Sequence, residues 1–162
     1  MQIFTVSFFG HRYLESYNEE EQRLYSLICK LINSYPYVDF LVGRDGEFDL
    51  LVASCVRRAK KEIFDANSSL IWVQPYQKAD YIREPDCFEN YYDEIEICDA
   101  SAAAYPKAAI QIRNRAMVDR SDLCVFFVSH SSGGAWQTLC YAKKQNKRMM
   151  NLFDNTRTSE FH

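Results

Sequence analysis

Apolar and polar positions change period repeatedly along this chain, from unbroken short runs to helical stripes and back. Ile3 to Phe9 is an almost continuous apolar run, the pattern of a strand buried on both faces. Leu24, Leu27, Ile28, Leu31 and Tyr35 then recur at helical spacing. Asn18 and Glu21 sit before them like a capping box, and Pro36 stops the helix. Val38 to Val42 predicts a second strand. Phe48, Leu51, Val52, Cys55, Ala59 and Ile63 stripe a helix over 47–65. Ser69 to Val73 predicts a third strand, and a later helix covers 106–120. Leu123 to Val128 is again continuously apolar; the loop SHSSGG, a helix over 135–145 and an apolar run at 149–153 follow it. Strand, glycine loop, helix and strand in that order form a βαβ unit.

About five strands alternating with helices predict an α/β doubly wound, three-layer, mainly parallel sheet. Residues 1–153 read as one domain and 154–162 as a polar tail. The stretch 77–104 differs in character. Between Asp80 and Asp99, acidic residues surround the single base Arg83, and Tyr81, Phe88, Tyr91 and Tyr92 are interleaved with them. A short helix near 85–92 and a short strand near 94–98 are expected inside it. The stretch reads either as a lid-like insertion or as a solvated excursion with its aromatics packed beneath.

Right-handed crossovers bring all strand-to-helix loops to one sheet edge, where open α/β sheets bind ligands. That edge collects Gly10-His11-Arg12, the loop 43–49, Gln74-Pro75-Tyr76 and Ser129 to Gly134. Gly133 and Gly134, with Ser132, suit a phosphate held against free helix amides. Arg12 can fork onto that phosphate and His11 can donate to it. Gly43 and Gly46 fit a tight turn. Asp49 and Glu47 either hold ribose hydroxyls or stabilise the helix amino end. Arg113 and Met117 share one helical face, with Asn114 beside Arg113, and this arginine is a second candidate for anion contact. Trp136 and Tyr76 are candidate platforms for a base, with core packing the competing role for Trp136.

Composition narrows the partners. The chain is 48% hydrophobic and 15% aromatic, as a packed domain requires, and its net charge is −3. That acidic balance disfavours nucleic acid as the main partner. Cysteines at 29, 55, 87, 98, 124 and 140 show no CxxC pair and no metal-ligand spacing, so they read as reduced thiols, mostly in the core, of a cytoplasmic protein with no metal or other cofactor. No apolar run has membrane-spanning length, and the chain opens directly into a strand without a leader-like pattern. A GxGxxG after the first strand, the Lys-Ser/Thr end of a P-loop and a GxSxG elbow around His130 are all missing.

The motifs FFGHR at 8–12, GRDGEFD at 43–49, RNRAMVDRSD at 113–122 and SSGGAWQTLCYAKK at 131–144 together resemble the YpsA-like branch of the SLOG superfamily. That superfamily also contains DprA and the Lonely Guy phosphoribohydrolases. The resemblance spans nearly the whole chain and is weakest over 77–104. It implies a Rossmann-like sheet, a nucleotide or phosphosugar site at the glycine loop, and a homo-oligomer. The Lonely Guy motif GGxGTxxE ends in a glutamate that serves hydrolysis together with an arginine of the preceding helix. Here Cys140 stands at the glutamate position and Arg113 at the arginine position. Hydrolysis through an oxocarbenium-like state needs a carboxylate, which would have to come from Glu47, Asp49 or Asp45. The expected function is therefore a sensor or adaptor binding a nucleotide or an ADP-ribose-like phosphosugar. An N-glycosidase acting on a nucleoside monophosphate and a DprA-like nucleic-acid interaction protein are the alternatives.

Overall fold

The computed structural model describes residues 2–15 and 17–153 of the 162-residue chain, with backbone alone at Tyr17. The expected tail at 154–162 lies outside the described residues. The chain runs β1 (Ile3–Gly10), α1 (Tyr17–Ser34), β2 (Tyr37–Val42), α2 (Glu47–Glu62) and β3 (Ser68–Gln74). Three short helices and a strand come next: α3 (Ala79–Arg83), α4 (Pro85–Glu89), β4 (Glu94–Ile97) and α5 (Asp99–Ala102). The last part is α6 (Pro106–Arg120), β5 (Leu123–Phe127), α7 (Gly134–Lys144) and β6 (Met149–Asn151).

The sheet holds six strands in the order β4-β3-β2-β1-β5-β6. Every pairing is parallel, with Val6 opposite both Phe40 and Leu123 at the centre. This is a Rossmann-like α/β fold, as the alternating pattern predicts. Side chains alternate between two buried layers. Phe8, Phe40 and Trp72 face the layer under α1 and α2, whereas Phe9, Leu41 and Ile71 face the layer under α6 and α7. Full burial on both faces explains the unbroken apolar runs, each large side chain contributing roughly 1.5–3 kcal/mol. The strand order reverses between β1 and β5, so their carboxyl ends open a crevice at the switch point.

The sequence reading is corrected in several places. The sheet has six strands rather than about five, because the short strand expected near 94–98 forms and joins it: Glu94-Ile95-Glu96-Ile97 pairs with Ile71 to Gln74 at the edge. Asp93 fixes that register by accepting from the Leu70 amide at 2.7 Å while its own amide donates to the Leu70 carbonyl at 2.9 Å. Of the two readings of 77–104, the packing of its aromatics beneath the chain is visible. Tyr81, Phe88 and Tyr92 gather around buried Trp72, with ring centroids 6.0, 5.1 and 5.5 Å away. Asn18 lies inside the first turn of α1 rather than capping it. The thiols are not uniformly internal either: Cys55 and Cys124 are buried, but Cys87 and Cys140 are exposed. Among the described residues, no helix is long and apolar enough to cross a membrane.

Candidate functional site

A cleft of about 920 Å³ occupies the crevice beyond β1 and β5, within the size range of small-molecule sites. The β1–α1 loop supplies Gly10, His11 and Arg12 to its wall, and the β2–α2 loop supplies Gly43, Asp45 and Asp49. The β5–α7 loop adds Ser129, His130, Gly133 and Gly134, and α6 adds Ile110 and Asn114.

The first two loops are pressed together. A Cβ on Gly10 would stand 2.4 Å from the Phe48 ring, and one on Gly46 would stand 2.5 Å from Arg12 Cα. Glu47 clamps the contact: its amide donates to the Arg12 carbonyl at 2.8 Å, and its Oε2 accepts from the Leu14 amide at 2.7 Å. Glu47 is thus engaged in positioning the loop and does not line the cleft. On the opposite side, Gly133 has φ of 90°, a conformation that favours glycine, and leads into α7 without a side-chain cap. The first intrahelical bond runs from the Gln137 amide to the Gly133 carbonyl at 3.1 Å. The amides of Gly134, Ala135 and Trp136 precede that ladder and point towards the amino end, where an anion is favoured.

Arg113 is fully buried and lies behind the wall rather than on it. Its Nη1 donates to the carbonyls of Gly43 and Val73 at 3.1 and 3.2 Å, and its Nη2 pairs with the Asp45 carboxylate. Nε and Nη2 both donate to Asn114 Oδ1, at 3.1 and 2.9 Å. These contacts use all five guanidinium N–H groups, so the arginine organises the scaffold and has no donor left for a ligand. The network continues from Asn114 Nδ2 to Thr138 Oγ1 at 3.1 Å, and from that hydroxyl to the Gly134 carbonyl at 2.9 Å. One hydrogen-bonded chain therefore links the acidic loop to the glycine loop.

Asp49 is 7% exposed and lines the cleft. Burial, and then the neighbouring Asp45 charge, push its carboxyl up from 3.8 to about 7, against the Asp45 amide that donates to it at 2.8 Å and the Arg113 charge. A carboxyl poised there gains from any ligand hydroxyl that donates to its ionised form. Across the crevice, the His11 and His130 rings stack with centroids 3.8 Å apart and planes within 3°. The Ser129 amide donates to His11 Nε2 at 2.9 Å, which places the proton of the neutral ring on Nδ1. Burial, then the charge of His130, lowers the His11 pKa from 6.5.

Of the residues singled out in the sequence, Gly10, His11, Arg12, Gly43, Asp49, Asn114, Gly133 and Gly134 converge on this cleft. Gly46, Arg113, Met117, Ser132 and Trp136 do not line it. Gly46 and Arg113 support the loops that do, Met117 is a core residue, and Trp136 packs partly buried against the layer under α6 and α7. Ser132 is exposed and its Oγ lies 3.0 Å from His130 Nδ1. Cys140 is exposed and off the cleft as well. Sequence reasoning passed over Glu15 and Glu20, two further lining carboxylates, and the aromatic wall of Phe8, Phe127 and Phe153. Nothing in the sequence pattern sets Glu20 apart from its acidic neighbours Glu19 and Glu21; its burial and its place in the cleft lining do.

No protein-family model matches the chain, and no curated protein matches it. Solved structures do. DNA processing protein A of Helicobacter pylori, described for its single-stranded DNA binding mode, superposes with a TM-score of 0.60 at 15% identity, over 90% of this chain and 63% of that one. DNA processing protein A (DprA) of Streptococcus pneumoniae gives 0.66 at 12% identity, over 99% and 55% of the two chains. The Moco carrier protein of Chlamydomonas rheinhardtii gives 0.54 at 13% identity, over 99% and 82%. This chain thus spans less than two thirds of either DprA. The likeness establishes a shared Rossmann-like fold. It also overturns the expectation that acidic balance disfavours nucleic acid, since a protein of this fold has a single-stranded DNA binding mode. Net charge sums the whole surface, whereas recognition depends on local potential.

Proposed function

We propose that the cleft binds a nucleotide or a nucleotide-derived phosphosugar, ADP-ribose-like in its chemistry, and that the protein acts as a cytoplasmic sensor or adaptor. One juxtaposition carries this reading: the free amides at the start of α7, with Arg12, share a cleft with the buried carboxyl of Asp49. Amides and guanidinium suit a phosphate, and carboxylates suit the hydroxyls of a sugar. The motif resemblance to the YpsA-like branch of SLOG points the same way. Thermal melts across a panel of nucleotides and phosphosugars test it, with released base followed by chromatography. A ligand raises the melting temperature with concentration and releases no base. A flat response to every phosphorylated compound sinks the reading, and base release replaces it with glycoside hydrolysis through Asp49.

The likeness to DprA favours a second reading, in which single-stranded DNA follows the same sheet edge. It predicts oligonucleotide binding that weakens steeply with salt. Binding of mononucleotides with no measurable retention of a labelled oligonucleotide decides against it.

A further inference from the structure

Glu20 is a second buried carboxylate at the cleft, unused by the phosphate and sugar contacts above. It is 8% exposed, lines the cleft, and its Oε2 has no hydrogen-bond partner among the described residues. Its Oε1 has Arg23 Nη2 at 4.0 Å, beyond hydrogen-bond length. Arg23 is directed elsewhere, with Nη1 donating to the Leu152 carbonyl at 2.5 Å. Buried acceptors are almost always satisfied, and a carboxylate with a free oxygen in a cleft calls for donors from a ligand. The surroundings say which donors. Leu24, one turn along α1, belongs to the same core layer as Phe8 and Phe127, and these two residues line the cleft as Glu20 does. Phe153 closes edge-on against Phe127, with ring centroids 5.8 Å apart, and is 51% exposed. An aromatic wall ending in a carboxylate suits a flat heterocycle that offers N–H groups at its edge.

Resting on the nucleotide reading above, we infer that Glu20 selects the base of the ligand, and that the base is guanine. The adjacent N1–H and exocyclic N2–H of guanine match the two oxygens of a carboxylate in a bidentate pair. Adenine and cytosine each set one amino group beside a bare ring nitrogen, whose lone pair faces the second oxygen. Hypoxanthine keeps N1–H and lacks the amino group, so it makes one of the two bonds.

The experiment measures binding of GMP, IMP, AMP and ribose 5-phosphate by calorimetry to the full chain and to Glu20→Gln. Wild type prefers GMP over AMP by roughly 10- to 100-fold, the worth of one bidentate pair, with IMP between them. Glu20→Gln lowers GMP affinity to the level of IMP, raises AMP affinity because the amide N–H can donate to the bare ring nitrogen of adenine, and leaves ribose 5-phosphate unchanged. Circular dichroism and a melting temperature no lower than wild type show that the variant is folded. Equal affinity of wild type for GMP and AMP overturns the inference, as does a guanine preference that survives in Glu20→Gln. In those two cases binding of ribose 5-phosphate leaves the cleft reading standing. Failure of all four compounds to bind removes both.

Discussion

Asp49→Asn should make the protein more stable at alkaline pH while weakening its ligand. The native carboxyl is raised from 3.8 to about 7 because it is buried beside Asp45. Its folded-state pKa therefore lies above the unfolded one, and the native state holds a proton that the unfolded chain has released. The stabilisation is complete below about pH 4, falls as pH rises through the interval, and is gone above about pH 7. A full pH unit inside that window is worth about 1.4 kcal/mol. Between pH 5 and pH 8 the loss amounts to about 2.5 kcal/mol, since the group is partly past its unfolded pKa at pH 5 and saturated by pH 8. Asparagine keeps an oxygen for the Asp45 amide, now 2.8 Å away, and carries no charge to desolvate. Urea unfolding at the two pH values should show the gap between variant and wild type widening by about that amount, in favour of the variant at pH 8. Parallel pH profiles, or a variant less stable than wild type at pH 8, would falsify the account of Asp49. The same substitution should loosen a phosphosugar ligand above pH 7, where the wild-type carboxylate is ionised and accepts from hydroxyls.

Arg113→Met leaves the Asp45 carboxylate and the Gly43 and Val73 carbonyls without their shared donor, and should cost roughly 3–5 kcal/mol in chemical denaturation. A loss under 1 kcal/mol would mean that the network does not hold the loops. Gly133→Ala meets no neighbour within 4 Å, so its expected penalty of about 1–2 kcal/mol is the left-handed backbone alone. Phosphate-bearing ligands should weaken in that variant, as the α7 amides lose their aim; unaltered binding would detach the glycine loop from the site. NMR titration of His11 should give a midpoint below 6.5, since burial and His130 oppose its protonation. Its stabilising contact with the Ser129 amide is present above that range and lost as pH falls through it. A midpoint at or above 6.5 would contradict this account of His11.

The elements that sequence disclosed best are those whose pattern has a single physical cause. A strand covered on both faces is mostly apolar, so Ile3 to Phe9, apolar but for Thr5 and Ser7, and Leu123 to Val128 could be read without knowing their neighbours. Glu94 to Ile97 alternates acid and isoleucine, and only its pairing with β3 turns that weak pattern into an edge strand. Glycines were legible as punctuation, but their reasons differ. Gly133 needs a left-handed backbone, whereas Gly43 needs the absence of a Cβ that would stand 2.8 Å from the Arg113 guanidinium. Arg113 itself drew notice as an arginine among apolar neighbours. Its direction, inward to two strand-end carbonyls instead of outward to an anion, is a property of the packed sheet and is invisible in one dimension.

That inward direction bears on the ligand proposed for the cleft. Among the described residues that line it, Glu15, Glu20, Asp45 and Asp49 are acidic, and Arg12 is the one guanidinium. Because Arg113 neutralises Asp45 from behind, three carboxylates remain for donors and one strong cation for an anion. A compact ligand with a single phosphate and a surface of hydroxyl and N–H groups meets each of these demands once. A polyphosphodiester repeats its charge at every nucleotide and would set successive phosphates beside carboxylates of the same sign. Single-stranded DNA on this sheet edge would therefore have to run across the rim of the cleft and place at most one nucleotide inside it. Protection of a single nucleotide in a footprint is compatible with that geometry, and a continuous track through the cleft is not.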